Sequence, residues 1–177
     1  MTPPLGSNED EQSREERLEI ARRYRERRGA ELRALAQAEV REEVLAAGEF
    51  STVPIESLAA IPVVGAFFAF AIRARQTRKG LPPNVLLALD SRRLHLLRIR
   101  GEVAGPRAEP ISSWDRRGVR VASVEPRFMR DQLVLEIEGE EPLKLFASSL
   151  RTNPWAAAVV RDLGGEAPAP IDLDRLS

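Results

Sequence analysis

The apolar positions of this chain follow a helical spacing at first, then run together without a period, and finally alternate. From Glu9 to about Arg41 there is no proline, Gly29 is the only glycine, and good helix formers dominate. Leu18, Ala21, Arg25, Arg28, Leu32, Leu35 and Glu39 recur every three or four residues, which predicts one long charged helix over 9–41. Ser7 with Asp10, or Ser13 with Glu16, offers a cap for its start. Asp10/Arg14 and Glu19/Arg23 stand in the favourable acid-first order, and acids crowd the first turns as the helix dipole prefers. Because Arg25, Arg28 and Glu39 interrupt the stripe, a coiled-coil seam would be poorly filled. Two readings remain: a solvated, ion-paired helix whose later half rests on the domain, or a weak dimer helix.

Residues 42–50 (Glu-Glu-Val-Leu-Ala-Ala-Gly-Glu-Phe) alternate too poorly to decide between more helix and a first strand, and Ser51-Thr52 with Pro54 ends either one. Residues 58–72 then read Leu-Ala-Ala-Ile-Pro-Val-Val-Gly-Ala-Phe-Phe-Ala-Phe-Ala-Ile with no charge. Arg73, Arg75, Arg78 and Lys79 follow, and no acid occurs between Glu56 and Asp90. From Leu81 the period becomes strand-like. Asn84–Asp90, Arg93–Arg100, Ile111–Trp114, Gly118–Val124, Leu133–Ile137 and the segment from Leu143 are the expected strands, with a loop over Gly101–Pro110 and a hairpin turn over Gly139–Pro142. Asn153 and Pro154 fit a cap and first helical position, Trp155–Leu163 a short helix, and Gly164-Gly165 its stop. Residues 1–8 and 164–177 carry no core pattern and are expected to be disordered.

Composition narrows the function classes. Lys and Arg number 27 and Asp and Glu 27, so no net basic field favours nucleic acid. The absence of cysteine excludes disulfides, thiol chemistry and thiolate zinc sites. One histidine, His95, leaves carboxylates as the only basis for a metal site. The N-terminal residues show no basic region followed by an apolar stretch, so no secretory signal is expected and the protein is assigned to the cytoplasm.

Short antiparallel strands followed by one capped helix, with Leu81-Pro82-Pro83-Asn84-Val85-Leu86-Leu87-Ala88-Leu89, Arg93-Leu94-His95-Leu96, Trp114-Asp115 and Asn153-Pro154-Trp155, resemble the small pleckstrin-homology (PH)-like or GRAM-like proteins of high-GC bacteria. The resemblance spans roughly the last half of the chain, or two thirds if Glu42–Phe50 is the first strand. It implies an α+β fold: a small antiparallel PH-like β-barrel or sandwich closed by the C-terminal helix and preceded by the charged helix. It also suggests binding of lipid headgroups or peptides. The family's basic headgroup pattern is echoed only loosely by Lys79 and Arg98-Ile99-Arg100, and that site is not transferred.

No Gly-rich phosphate loop, nucleophile elbow or His-Glu-x-x-His sequence occurs, so no catalytic residue, cofactor or metal ligand is assigned. His95 reads as a partly exposed strand residue, Glu138, Glu140 and Glu141 as solvated charges at a hairpin tip, and Trp114 and Trp155 as core. Fifteen helical residues over 58–72 would reach roughly 22 Å, short of the ~30 Å hydrocarbon core, and Pro62 and Gly65 weaken a continuous helix. The segment is therefore either buried in protein or seated at a membrane interface. In the second case Phe67, Phe68 and Phe70 meet the acyl boundary while Arg73, Arg75, Arg78 and Lys79 meet anionic headgroups. The sequence thus points to a non-catalytic binding or scaffolding module, peripheral at the inner membrane surface through 58–79. The alternative is a soluble homo-oligomeric structural protein assembled through the N-terminal helix and the apolar segment.

Overall fold

A computed structural model of the chain describes residues 7–53, 81–102, 105–127, 130–169 and 171. Helix α1 (Ser7–Gln37) is followed by strands β1 (Ala46–Ser51), β2 (Asn84–Leu89), β3 (Arg93–Glu102) and β4 (Gly105–Asp115). A 3-10 turn at Arg116–Gly118 leads to β5 (Val119–Arg127), β6 (Arg130–Ile137), β7 (Leu143–Ser148) and helix α2 (Pro154–Asp162). The fold is α+β: seven antiparallel strands in the order β4-β3-β2-β1-β7-β6-β5. Edge strands β4 and β5 do not pair among the described residues, so the sheet is open. The ambiguous segment 42–50 resolves as a loop followed by strand β1.

The stripe on α1 is the face it turns to the sheet. Leu32, Ala36 and Val40 are buried with Ala47, Leu86, Ala88, Leu97 and Ala108 in one core. Arg25 and Arg28, the charged interruptions nearer its start, meet polar partners: Arg25 donates to the Ile171 carbonyl at 3.3 Å, and Arg28 pairs with Glu49 at 2.7 Å. Glu39 is exposed because the helix has already ended. The stripe thus faces its own domain.

The opposite face of β1–β3 meets β5–β7 and α2. Phe50, Leu87, Leu89, Leu94, Leu96, Leu133, Leu135 and Leu145 form this second core with Ala156, Ala157, Val159 and Val160. Strand β2 is covered on both sides, which is why its sequence is a continuous apolar run. Strand β6 is covered on one, so Asp131, Leu133, Leu135 and Ile137 alternate with more exposed residues.

Two expectations need correction. Gly101–Pro110 is not a loop: Ile99↔Ala108 and Arg100↔Arg107 continue the β3–β4 ladder. Pro106 and Pro110 read as loop residues, yet an edge strand tolerates proline because one side of it has no ladder partner. A bulge between Leu96 and Leu97 leaves Ile111 without an opposite residue and lets it pack on the second core. The two tryptophans are also not fully buried: both lie partly exposed at the margin of the core. The buried face of α2 is Ala156, Ala157, Val159 and Val160. Beyond α2 the chain keeps contact with the domain, since Ala167 packs on the core and the Ile171 amide donates to the Arg151 carbonyl at 2.9 Å.

Helix α2 lies unusually close to β1. A Cβ on Gly48 would sit 2.8 Å from the Ala156 Cα and 3.1 Å from the Phe50 ring. Gly48→Ala is expected to destabilise the protein by about 2–3 kcal/mol through this overlap. Gly29→Ala, where an added Cβ meets nothing within 4 Å, should instead stabilise by roughly 0.5–1 kcal/mol, the usual helix-interior gain over glycine. Urea denaturation of the two variants checks both signs; a neutral Gly48→Ala would mean that helix and strand are not in close contact.

Candidate functional site

The uncharged and basic segment joins the domain at one point. Ser51 pairs with Asn84 at the end of the β1–β2 ladder. Just beyond, the Thr52 amide donates to the Pro83 carbonyl at 2.9 Å, its hydroxyl to the Pro82 carbonyl at 2.7 Å, and the Ser51 hydroxyl to the Pro83 carbonyl at 3.1 Å. Thr52 is buried, so water competes poorly for these bonds. The chain therefore leaves the sheet at Val53 and re-enters at Leu81 through two strand ends tied side by side. Residues 54–80 lie outside the described residues, and with them all the contact candidates: Phe67, Phe68, Phe70, Arg73, Arg75, Arg78 and Lys79. Antiparallel alternation puts the β3–β4 turn, flanked by Glu102 and Gly105, at this same end of the sheet. Arg100 bridges Glu109 here at 2.8 Å with both side chains half exposed, an arrangement that adds little stability.

Next to this point β1 and β7 part. Their only pairing among the described residues is Ser51↔Phe146, and the opened seam forms a cleft of about 430 Å³ between α1 and the sheet. Its lining includes Tyr24, Arg28, Glu49, Arg130, Ser148 and Trp155. Trp155, in the first turn of α2, meets Tyr24 edge to face, with ring centroids 6.4 Å apart at 70°. Asn153 caps α2 by accepting from the Ala156 amide at 3.0 Å, while its side-chain NH2 donates to the Ser148 hydroxyl at 3.1 Å. Burial disfavours the charged form of Arg28, but hydrogen bonding to Glu49 and that carboxylate's charge outweigh it and raise the pKa. Arg130 has no such compensation: burial lowers its pKa, and its Nη1 is buried without a hydrogen-bond partner among the described residues. Sequence alone does not single out Arg130, whose only signal is a cation opening an alternating strand. The signal for Arg28 is a charge on the packing stripe of α1.

His95 lies partly exposed in β3, as expected, but it has a carboxylate partner that the spacing does not reveal. Asp90, buried at the β2–β3 turn, accepts from the amides of Arg92 and Arg93 at 2.7 and 2.6 Å through Oδ1. Its Oδ2 lies 2.8 Å from His95 Nε2. The carboxylate partner is five residues upstream, brought back by the tight turn. Burial opposes ionisation of Asp90, yet the His95 side chain and the two amides outweigh it and hold the carboxyl below its ordinary 3.8. Ser113 stands opposite His95 on β4, and its hydroxyl accepts from Arg93 at 3.2 Å, with no hydrogen bond to His95 among the described residues. No group of three His, Asp or Glu suited to a metal ion occurs among the described residues. The pair is best understood as a clamp on the turn. Trp114, near the other end of β4, donates its indole N–H to Glu140 at 2.7 Å, which gives one of the hairpin-tip acids a fixed partner.

Comparison with known proteins gives no match to a family model, a curated protein or a solved structure.

Asp90→Asn should cost about 2–3 kcal/mol at neutral pH, because a charged acceptor of buried bonds is lost. The folded pKa of Asp90 is depressed, so its contribution is complete above the unfolded value and disappears as pH falls through the folded one. Wild-type stability should therefore drop on acidification below about pH 4, and the variant should lose part of that drop. Denaturation midpoints measured from pH 7 to pH 2 test it; parallel curves for the two proteins would contradict the clamp.

Proposed function

We propose that this protein is a non-catalytic PH-like binding or scaffolding module, held at the inner surface of a membrane by residues 58–79. The observation that carries this reading is the clamp at Thr52, Pro82 and Pro83, which makes a covered sheet the mount for one uncharged and basic insertion. The strand order, with one helix following β7 and packed across β1, supports the PH-like assignment. An apolar run followed by four bases and no acid has the composition of an interfacial anchor: apolar side chains enter the acyl boundary and bases contribute about 1 kcal/mol each against anionic lipid. No helix among the described residues is long and apolar enough to cross a membrane.

Assembly through α1 is the weaker reading. The helix uses its apolar stripe on its own sheet, and the large apolar side chains it leaves exposed are Ile20 and Tyr24. Two such residues make a small patch beside what a stable helix dimer buries.

The protein should bind anionic vesicles more tightly than neutral ones, with affinity falling as salt rises. Replacing Arg73, Arg75, Arg78 and Lys79 by Gln should weaken anionic binding by up to ~4 kcal/mol. Replacing Phe67, Phe68 and Phe70 by Ser should weaken binding to both vesicle types and leave unfolding cooperative. Vesicle flotation and chemical denaturation read these effects. If wild type ignores vesicles and the Phe variant unfolds or dissociates an oligomer, the segment belongs to a protein core and the structural-protein reading replaces this one.

A further inference from the structure

The cleft at the β1–β7 seam has chemistry that the membrane reading does not use. Its charged lining consists of Arg27, Arg28, Arg130, Glu31 and Glu49. Arg27 pairs with Glu31 at 3.3 Å, and Arg28 with Glu49 at 2.7 Å and Glu31 at 3.4 Å. Both carboxylates are thus engaged, and Arg130 is the one lining cation with no ion-pair partner among the described residues. A buried donor left without an acceptor costs about 1–3 kcal/mol, so an oxyanion placed against Arg130 would gain a charged bond and relieve that cost.

The neighbours of Arg130 suit such a ligand. Ser148 faces it directly across the β6–β7 ladder. The Ser148 hydroxyl already accepts from Asn153, which leaves its own proton to donate. Asn153 caps α2, a helix of nine residues, whose positive end favours negative charge at this wall. Trp155 and Tyr24 add aromatic surface on the same cleft. A volume of about 430 Å³ is the size of a small-molecule site.

We propose that the seam cleft binds a small organic phosphate, its oxyanion held by Arg130 and Ser148 and its apolar part against Trp155. A guanidinium and a hydroxyl donor recognise a phosphate oxyanion through charge-assisted hydrogen bonds, the strong class of such contacts.

Phenyl phosphate and inorganic phosphate are the probes, titrated into the full chain. The sequence has two tryptophans, so their indole N–H signals in NMR separate cleanly. The Trp155 signal should shift saturably with phenyl phosphate and more weakly with inorganic phosphate, while Trp114 remains still as the internal control. Arg130→Gln should raise the dissociation constant at least ~tenfold, as expected for losing a charged hydrogen bond, without lowering the melting temperature. Ser148→Ala should weaken binding less and provides a second reading if Arg130→Gln fails to fold. No saturable shift at Trp155 in wild type, or one that both variants leave unchanged, overturns the proposal.

Discussion

The close contact between β1 and α2 at Gly48 is the constraint on which the rest of the structure depends. With no side chain there, the backbone of α2 at Ala156 comes down onto the strand, and Ala157, Val159 and Val160 reach the core. The helix thereby packs across β1 and joins the inner core that holds Phe50 and Leu145. The same contact fixes Asn153 and Trp155 at the edge of the seam. One missing methyl group thus sets the packing of the core and the shape of the cleft together.

Covering the other side of the sheet falls to α1. Its apolar residues are sparse, but Leu32 and Ala36, with Val40 just past its end, are fully or nearly fully buried, and they cover Leu86 and Ala88 on β2. Burial of such side chains contributes roughly 1.5–3 kcal/mol for each large one, far more than the exposed ion pairs such as Glu19–Arg23 that decorate the helix surface. Helix α1 is held to the sheet by a short apolar stretch near its end, and Arg25 and Arg28 tie its middle to Ile171 and Glu49.

Much of this is legible in the residues. The stripe on α1, the alternation of Leu133, Leu135 and Ile137, the continuous run of β2 and the Asn153-Pro154 start all reflect local rules that the tertiary structure obeys. What escapes the sequence depends on position in the sheet. Pro106 and Pro110 signal a loop unless the strand is known to lie at an edge. Asp90 and His95 look unrelated until the turn folds them together. The cleft is equally hidden, because Arg28, Arg130 and Trp155 are far apart in sequence and meet only where β1 and β7 diverge. The segment 58–79 is visible by composition alone, and its reading continues to rest on that composition together with the clamp that anchors its ends.

Because β2 is buried between α1 on one face and the α2 core on the other, α1, the sheet and α2 should unfold as one cooperative unit. Native-state hydrogen exchange tests it most directly, since it gives a separate opening free energy for each amide. The amides of Leu35–Gln37 in α1 should exchange with the same free energy as those of Leu86–Leu89 in β2 and Val159–Val160 in α2, with the earlier turns of α1 opening more readily. If the last turns of α1 exchange at a markedly lower free energy than β2, the helix is an appendage and not a layer of the domain, and the claim of a single cooperative unit is wrong.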